Sequence, residues 1–210
     1  MDVNKKMIKL ANPGVFFDIG ANHGMFCKAM SDAATRVYAF EPHPDNLKIL
    51  NEAVAGLPNV TVEPIALSDS EGQIALYCCP ANPGGHSIAE PVAQVGTWSH
   101  STDNSIQVAT TTLDAYCEKH NIQQVSAIKI DVEGAEQFVL QGAKDTLKKN
   151  TMVIALETHQ TIDREAVYGI LKECGYRVYD NRFDCLVEDI SYDCQYLCTN
   201  DPAINLTVDF

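Results

Sequence analysis

Short apolar runs alternate along this chain with stretches of helical period, and that alternation predicts a parallel α/β sheet. Residues 15–20 read as a strand ending in glycine, and residues 25–30 as the start of a helix. Residues 36–41 form a second strand. Pro44 opens the next helix at a first-turn position where its missing N–H costs nothing, with Leu47, Leu50 and Val54 on one face. Residues 60–66 give a third strand weakened by Pro64, which suits a sheet edge or a strand end. Residues 72–79 look like an added hairpin strand. The rhythm then lapses across residues 80–107, rich in Gly, Pro, Ser and Asn. Loops of that length in a compact domain are commonly functional or disordered. Order resumes at Thr112, placed to cap a helix. Residues 127–131 and 152–157 are strands, and residues 135–147 read as one helix with Phe138, Val139 and Leu147 inward. A helix over 164–174 is closed by Gly175, and strands over 176–179 and 193–199 finish the pattern.

A chain of 210 residues with this pattern suits one doubly wound α/β domain. The expected division is an N-terminal extension over 1–14, the domain over 15–200 with an insertion at 80–107, and a tail over 201–210. Hydrophobic residues at 46% and charged residues at 20% fit a folded chain. Charge narrows the partners. Fifteen basic against 28 acidic residues leave −13, which argues against a broad nucleic-acid or anionic-membrane face. No apolar run approaches the ~20 residues of a membrane-spanning helix, and the first residues lack the apolar core of a secretory signal. The eight cysteines show no paired zinc spacing, and Cys194 and Cys198, four apart without a matching His or Cys pair, read as buried thiols. A reducing, cytoplasmic setting is the expectation.

Candidate chemistry begins where the first strand delivers FDIGANHG, residues 17–24, into a helix. Glycine there lets the chain turn tightly and a ligand lie against backbone. Glu41 follows Gly20 by 21 residues, about where an acid grips ribose hydroxyls in nucleotide folds. The loop is not GxGxxG; it has Asp18 within the strand and no basic neighbour. An acid there repels a pyrophosphate but suits the amino and sulfonium groups of S-adenosylmethionine. Farther along, Lys129, Asp131 and Glu133 share a face if the strand continues, and Glu157 is followed by His159. Methyl transfer to a hydroxyl needs alignment and a proton acceptor. Asp131, Glu157 and His159 are the candidates; His159, with a reference pKa near ~6.5, could serve without tuning. Structural duties stay open: Asp131 could cap the next helix, Lys129 neutralise an acid, and Glu157 pair at the surface. A divalent metal on Asp131, Glu157 and His159 fits the donor types, but the spacing does not require one and none is expected. In the insertion, Ser87, Trp98, Ser99 and His100 have the character of a lid over a hydroxylated acceptor.

FDIGANHGMF, AFEP, PIALSDSEG and, after LDAY, KIDVEGAEQFVLQGA together resemble the successive motifs of the FkbM-type S-adenosylmethionine-dependent methyltransferases, over roughly residues 15–180. The resemblance implies a Rossmann-like class I methyltransferase fold, with a mostly parallel seven-strand sheet and helices on both faces. It implies O-methylation of a hydroxyl on a sugar, glycan or natural product. By the same resemblance Asp18, Gly20, Ala21, Asn22 and Gly24 match the cofactor loop and Glu41 the ribose-binding acid, while Ala66 and Asp69 flank adenine. Pro64 departs from the third motif, and residues 80–107 match no part of the family pattern, which leaves the acceptor and the oligomeric state open. Two rivals stand beside this reading: a nicotinamide-dependent dehydrogenase, and a cofactor-binding fold kept as an interaction module.

Overall fold

The computed structural model describes residues 2–80, 82, 84–89, 104–160, 162–182 and 185–206. The first half runs α1 (Val3–Leu10), β1 (Val15–Ile19), α2 (Cys27–Ala33), β2 (Arg36–Phe40), α3 (Pro44–Val54) and β3 (Val60–Glu63). Next come β4 (Ala66–Leu67), β5 (Gly72–Tyr77) and β6 (Ser105–Thr111). Then follow α4 (Leu113–Lys119), β7 (Val125–Ile130), α5 (Glu136–Gln141), α6 (Lys144–Lys149), β8 (Val153–Thr158) and α7 (Arg164–Glu173). The chain ends in β9 (Arg177–Asp180), β10 (Cys185–Leu186) and β11 (Cys194–Thr199).

One sheet has the order β10-β9-β11-β8-β7-β1-β2-β3, and β4-β6-β5 form another. From β8 through β7, β1 and β2 to β3 the pairing is parallel, while β11 lies antiparallel between β8 and β9. The expected seven strands become eight because two residues of β10 pair on the edge beyond β9. Strand order reverses at β1, which has β2 on one side and β7 on the other. That is the switch point where open α/β sheets bind ligands at the carboxyl ends of their strands.

Consecutive strand residues feed opposite layers. Phe16, Ala127 and Ala155 join Val3, Met7 and Met30 on one face; Phe17, Ile128 and Ile154 join Leu113, Val139, Leu147 and Leu171 on the other. Residues 1–14, read as an extension, thus supply core. The Asp2 carboxylate accepts from the N–H groups of Asn4 and Lys5 to cap α1, and fully buried Met7 is worth about 1.5–3 kcal/mol. All eight cysteines are free thiols, seven of them buried. No helix among the described residues is long and apolar enough to cross a membrane.

Four elements differ from the pattern reading. β3 stops at Glu63, because Pro64 cannot donate to a ladder, and the chain steps across to the second sheet at Ala66. The helix over 135–147 is two helices. A Cβ on Gly142 would stand 2.0 Å from the Ser68 carbonyl oxygen, so the backbone just after β4 runs into the break. The Asp114 carboxylate accepts from the Asp145 and Thr146 N–H groups and caps the second helix from outside. Phe138 is only half-buried, and Leu140 takes the inward place. Finally, residues 105–107 belong to β6, whose Val108 and Thr110 alternate inward. Helix α2 begins two residues later than read, at Cys27.

Candidate active site

The turn after β1 is fixed by backbone. Gly20 and Ala21 donate their N–H groups to the Phe40 carbonyl (3.1 and 3.0 Å), which hooks the loop onto the end of β2. Gly20 has φ +77°, and a Cβ there would meet the Asp131 carbonyl oxygen at 1.9 Å. This glycine is therefore required by the β1–β7 junction as well as by any ligand. Buried Glu41 completes the turn: Oε2 accepts from the Asn22 N–H at 2.9 Å, and Oε1 from the His43 N–H at 2.8 Å. Burial raises its pKa, and those backbone donors oppose the rise.

A cleft opens above these groups. Gly20, Asn22, Glu41, Pro42 and Asn46 line one side, Ile65, Ala66, Leu67, Leu76 and Ile88 another, and Asp131, Val132 and Glu133 the floor toward β7. It encloses about 680 Å³, its open mouth included, within the usual range for a small-molecule site. The first part of the 80–107 insertion forms a wall. Gly84, His86 and Ile88 face the cleft, Ser87 pairs with Tyr77, and the His86 ring stacks on His43 at 3.8 Å. Trp98, Ser99 and His100 lie outside the described residues.

Beyond β7 and β8 the cleft meets a cluster of charges. Buried Lys129, 4% exposed, donates to the Gly20 carbonyl at 2.9 Å and stands 3.4 Å from Asp18 Oδ1 and 3.3 Å from Asp131 Oδ2. Burial works against its charge, but Asp131 and Asp18 together outweigh that and hold the ammonium above its ordinary pKa. The strand does not continue past Ile130. Glu133 has φ +56° and Gly134 φ +102°, so a tight reversal, not strand alternation, aims Glu133. Non-glycine residues held at such angles are strained and cluster at functional sites. Glu133 Oε2 lies 3.5 Å and Asp131 Oδ1 3.7 Å from His159 Nε2. On the far side of the ring, His159 Nδ1 contacts Glu136 Oε1 at 2.6 Å, and Glu136 is 0% exposed.

Burial raises the Glu133 pKa to about 7, with His159 opposing and Asp131 and Glu136 adding to the rise. For His159 burial pulls downward, but the hydrogen bond and charge of Glu136, with Glu133 and Asp131, push it to about 9. At neutral pH the bare cluster therefore contains an imidazolium, not the untuned imidazole read from the sequence.

The structure brings Gly20, Asn22, Glu41 and Ala66 to the cleft. Asp18 is buried beneath it against Lys129 and the Cys27 thiol, and Ala21 and Gly24 support the loop from below. Asp69 is exposed and accepts from Ser68 and Ser70, away from the lining. Asp131 and His159 meet as expected. Glu157 instead accepts from Gln195 Nε2 at 3.0 Å, its neighbour across β8 and β11. Glu133 and Glu136 replace it at the imidazole. Their signal lay inside KIDVEGAE, where three acids fall within six residues of one strand end.

Comparison with known proteins places this geometry. The hexuronic acid methyltransferase AglP of Haloferax volcanii is 33% identical over 161 residues, 76% of this chain and 62% of that protein. The 2-O-methyltransferase NoeI of Sinorhizobium fredii is 28% identical over 150 residues, 66% of this chain and 61% of that protein. The chain thus spans about three-fifths of the length of these relatives. A Streptococcus mutans protein solved in complex with S-adenosylhomocysteine shares the fold, with TM-score 0.53 at 12% identity over 93% of this chain and 92% of that one. The family model of the methyltransferase FkbM domain matches residues 18–178, from the acid beneath the glycine turn through both strands that carry the cluster. The chain belongs to the FkbM methyltransferase family.

Proposed function

We infer that this chain transfers the methyl group of S-adenosylmethionine to a hydroxyl oxygen of a sugar, glycan or related natural product. The observation that carries the reading is the sign of the cleft: Glu41, Asp131 and Glu133 line it, and among the described residues no lysine or arginine does. A dinucleotide would bring its pyrophosphate among those carboxylates, whereas a sulfonium and an ammonium are attracted there. Asn22, which lines the cleft, adds a buried Oδ1 with no hydrogen-bond partner among the described residues. The named activities of the two relatives, and the S-adenosylhomocysteine held by the structural neighbour, support the same choice.

The roles follow from position. Glu41, at the end of β2, offers its remaining lone pairs to the ribose hydroxyls, and the apolar side from Ile65 to Ile88 takes the adenine. Bound there, S-adenosylmethionine supplies a methyl group that in-line attack by a hydroxyl removes, the carbon–sulfur bond breaking as the carbon–oxygen bond forms. Asp131, Glu133 and His159 stand at the cleft's β7–β8 end, where they orient the hydroxyl; the carboxylates take up its proton and the His159 imidazolium steadies their charge. A mere interaction module has no need of such a cluster with displaced pKa values. The first part of the insertion, through Gly84, His86 and Ile88, walls the cleft.

The test is product analysis. The chain is incubated with S-adenosylmethionine and neutral sugars, amino sugars or uronic acids, and the products are read by mass spectrometry. A sugar gaining one methyl ether with stoichiometric S-adenosylhomocysteine is the expected result. Hydride transfer to a nicotinamide, or no turnover with any hydroxylated acceptor, would overturn the reading.

A further inference from the structure

We propose that Asp131, Glu133 and His159 form a binding site for one divalent cation of the Mn²⁺ type, with Glu136 as the residue that orients the imidazole. The three donors converge: His159 Nε2 is 3.7 Å from Asp131 Oδ1 and 3.5 Å from Glu133 Oε2, and all three ligand atoms lie within 4.8 Å of one another. Neither separation is a good hydrogen bond. Both approach the edge between two ligands of one ion, roughly 3–3.5 Å for bonds of about 2.1 Å. Asp131 divides its oxygens accordingly, Oδ2 toward Lys129 and Oδ1 toward the imidazole.

Glu136 is the independent observation. It is fully buried, one oxygen is aimed at His159 Nδ1 at 2.6 Å, and the other, Oε2, has no hydrogen-bond partner among the described residues. A carboxylate behind Nδ1 fixes the tautomer that leaves the Nε2 lone pair for a metal, the usual arrangement of a ligating histidine. Charge agrees. Asp18, Asp131, Glu133 and Glu136 face Lys129 and one imidazole, and a bound dication offsets the excess. One imidazole with two carboxylates suits Mn²⁺ better than the all-oxygen preference of Mg²⁺.

The other His-rich group, His43, Cys78 and His86, lacks this logic. Both of its imidazoles accept a backbone N–H at Nδ1, from Asp45 and Cys79, which places the proton on Nε2 where a metal would bind.

Three protein ligands leave positions open for two adjacent oxygens of a polyol. The ion then holds the acceptor and acidifies the bound hydroxyl, in place of proton transfer to the bare side chains. That role rests on the methyltransferase reading; the site itself does not.

The experiment titrates the chelator-treated full chain with MnCl₂ alone and follows free Mn²⁺ by its electron paramagnetic resonance signal. One ion per chain is expected. Affinity should fall at least tenfold in Glu133→Gln and in His159→Ala, and ten- to a hundredfold in Glu136→Gln. Asp163→Asn, an acid outside the cluster, should bind as the unaltered chain does. Thermal unfolding without metal verifies that each variant is folded, and a rise in the unaltered chain's midpoint with Mn²⁺ supports the site without any variant. Absence of one-to-one binding at millimolar Mn²⁺, or binding that survives both Glu133→Gln and His159→Ala, overturns the proposal. S-adenosylhomocysteine calorimetry on the same sample separates the two readings: cofactor binding without Mn²⁺ binding rejects the metal site alone.

Discussion

On the β1–β2 side of the cleft, Glu41 commits both carboxylate oxygens to backbone N–H groups two and nineteen residues away. On the β7–β8 side, Asp131, Glu133 and Glu136 converge on one imidazole. The first side is a rigid cradle of turn backbone and apolar wall, suited to holding a cofactor in one pose. The second is a set of coupled titratable side chains whose protonation or ion content can change during a reaction. On the proposed reading binding and chemistry fall on different strands, so damage to one side should leave the other measurable.

The largest separation should come from the β7–β8 side. His159→Ala or Glu133→Gln is expected to lower kcat by about 10²–10⁴-fold, the contribution of a positioned proton acceptor that the imidazolium holds in place, while S-adenosylhomocysteine affinity stays within about twofold. Glu157→Gln, facing Gln195 instead, should lose less than tenfold. Equal losses in all three would mean that the cluster does not act as the geometry implies. Glu41→Ala reverses the pattern. It removes a charge-assisted acceptor of two hydroxyls and the tie to Asn22, so binding of S-adenosylhomocysteine should weaken by about 2 kcal/mol in calorimetry, or ~30-fold.

A smaller effect sharpens the view of the cluster itself. In the metal-free chain, His159 should titrate at about 9 by NMR, above its ordinary 6.5. Glu136→Gln should lower that value, because the hydrogen bond and charge that outweigh burial are lost. A raised histidine pKa contributes stability that is full below about pH 6.5 and is lost as the pH rises through about 9. An imidazole titrating below its ordinary value would contradict the arrangement.

Much of the cradle was legible because it is local. FDIG and the Glu41 strand end are each a few residues long, and their pairing follows from β1 lying beside β2. The cluster was legible only in part. Glu136 and His159 are 23 residues apart in sequence and meet because β7 and β8 are neighbours. Strand periodicity pointed to Glu133 for a reason the structure replaces, since the chain reverses after Ile130. It also favoured Glu157, which the register of β11 draws to Gln195. The helix break at Gly142 had only the glycine itself as a signal in its own segment, because the carbonyl that requires it belongs to Ser68, 74 residues earlier in the chain.

The most direct test of the central claim is isothermal titration of the full chain with S-adenosylmethionine, S-adenosylhomocysteine and NAD in turn. An acid-lined cleft that takes a cationic cofactor predicts one-to-one binding of the first two and no measurable heat from NAD. Saturable NAD binding, with neither adenosyl ligand retained, would contradict it.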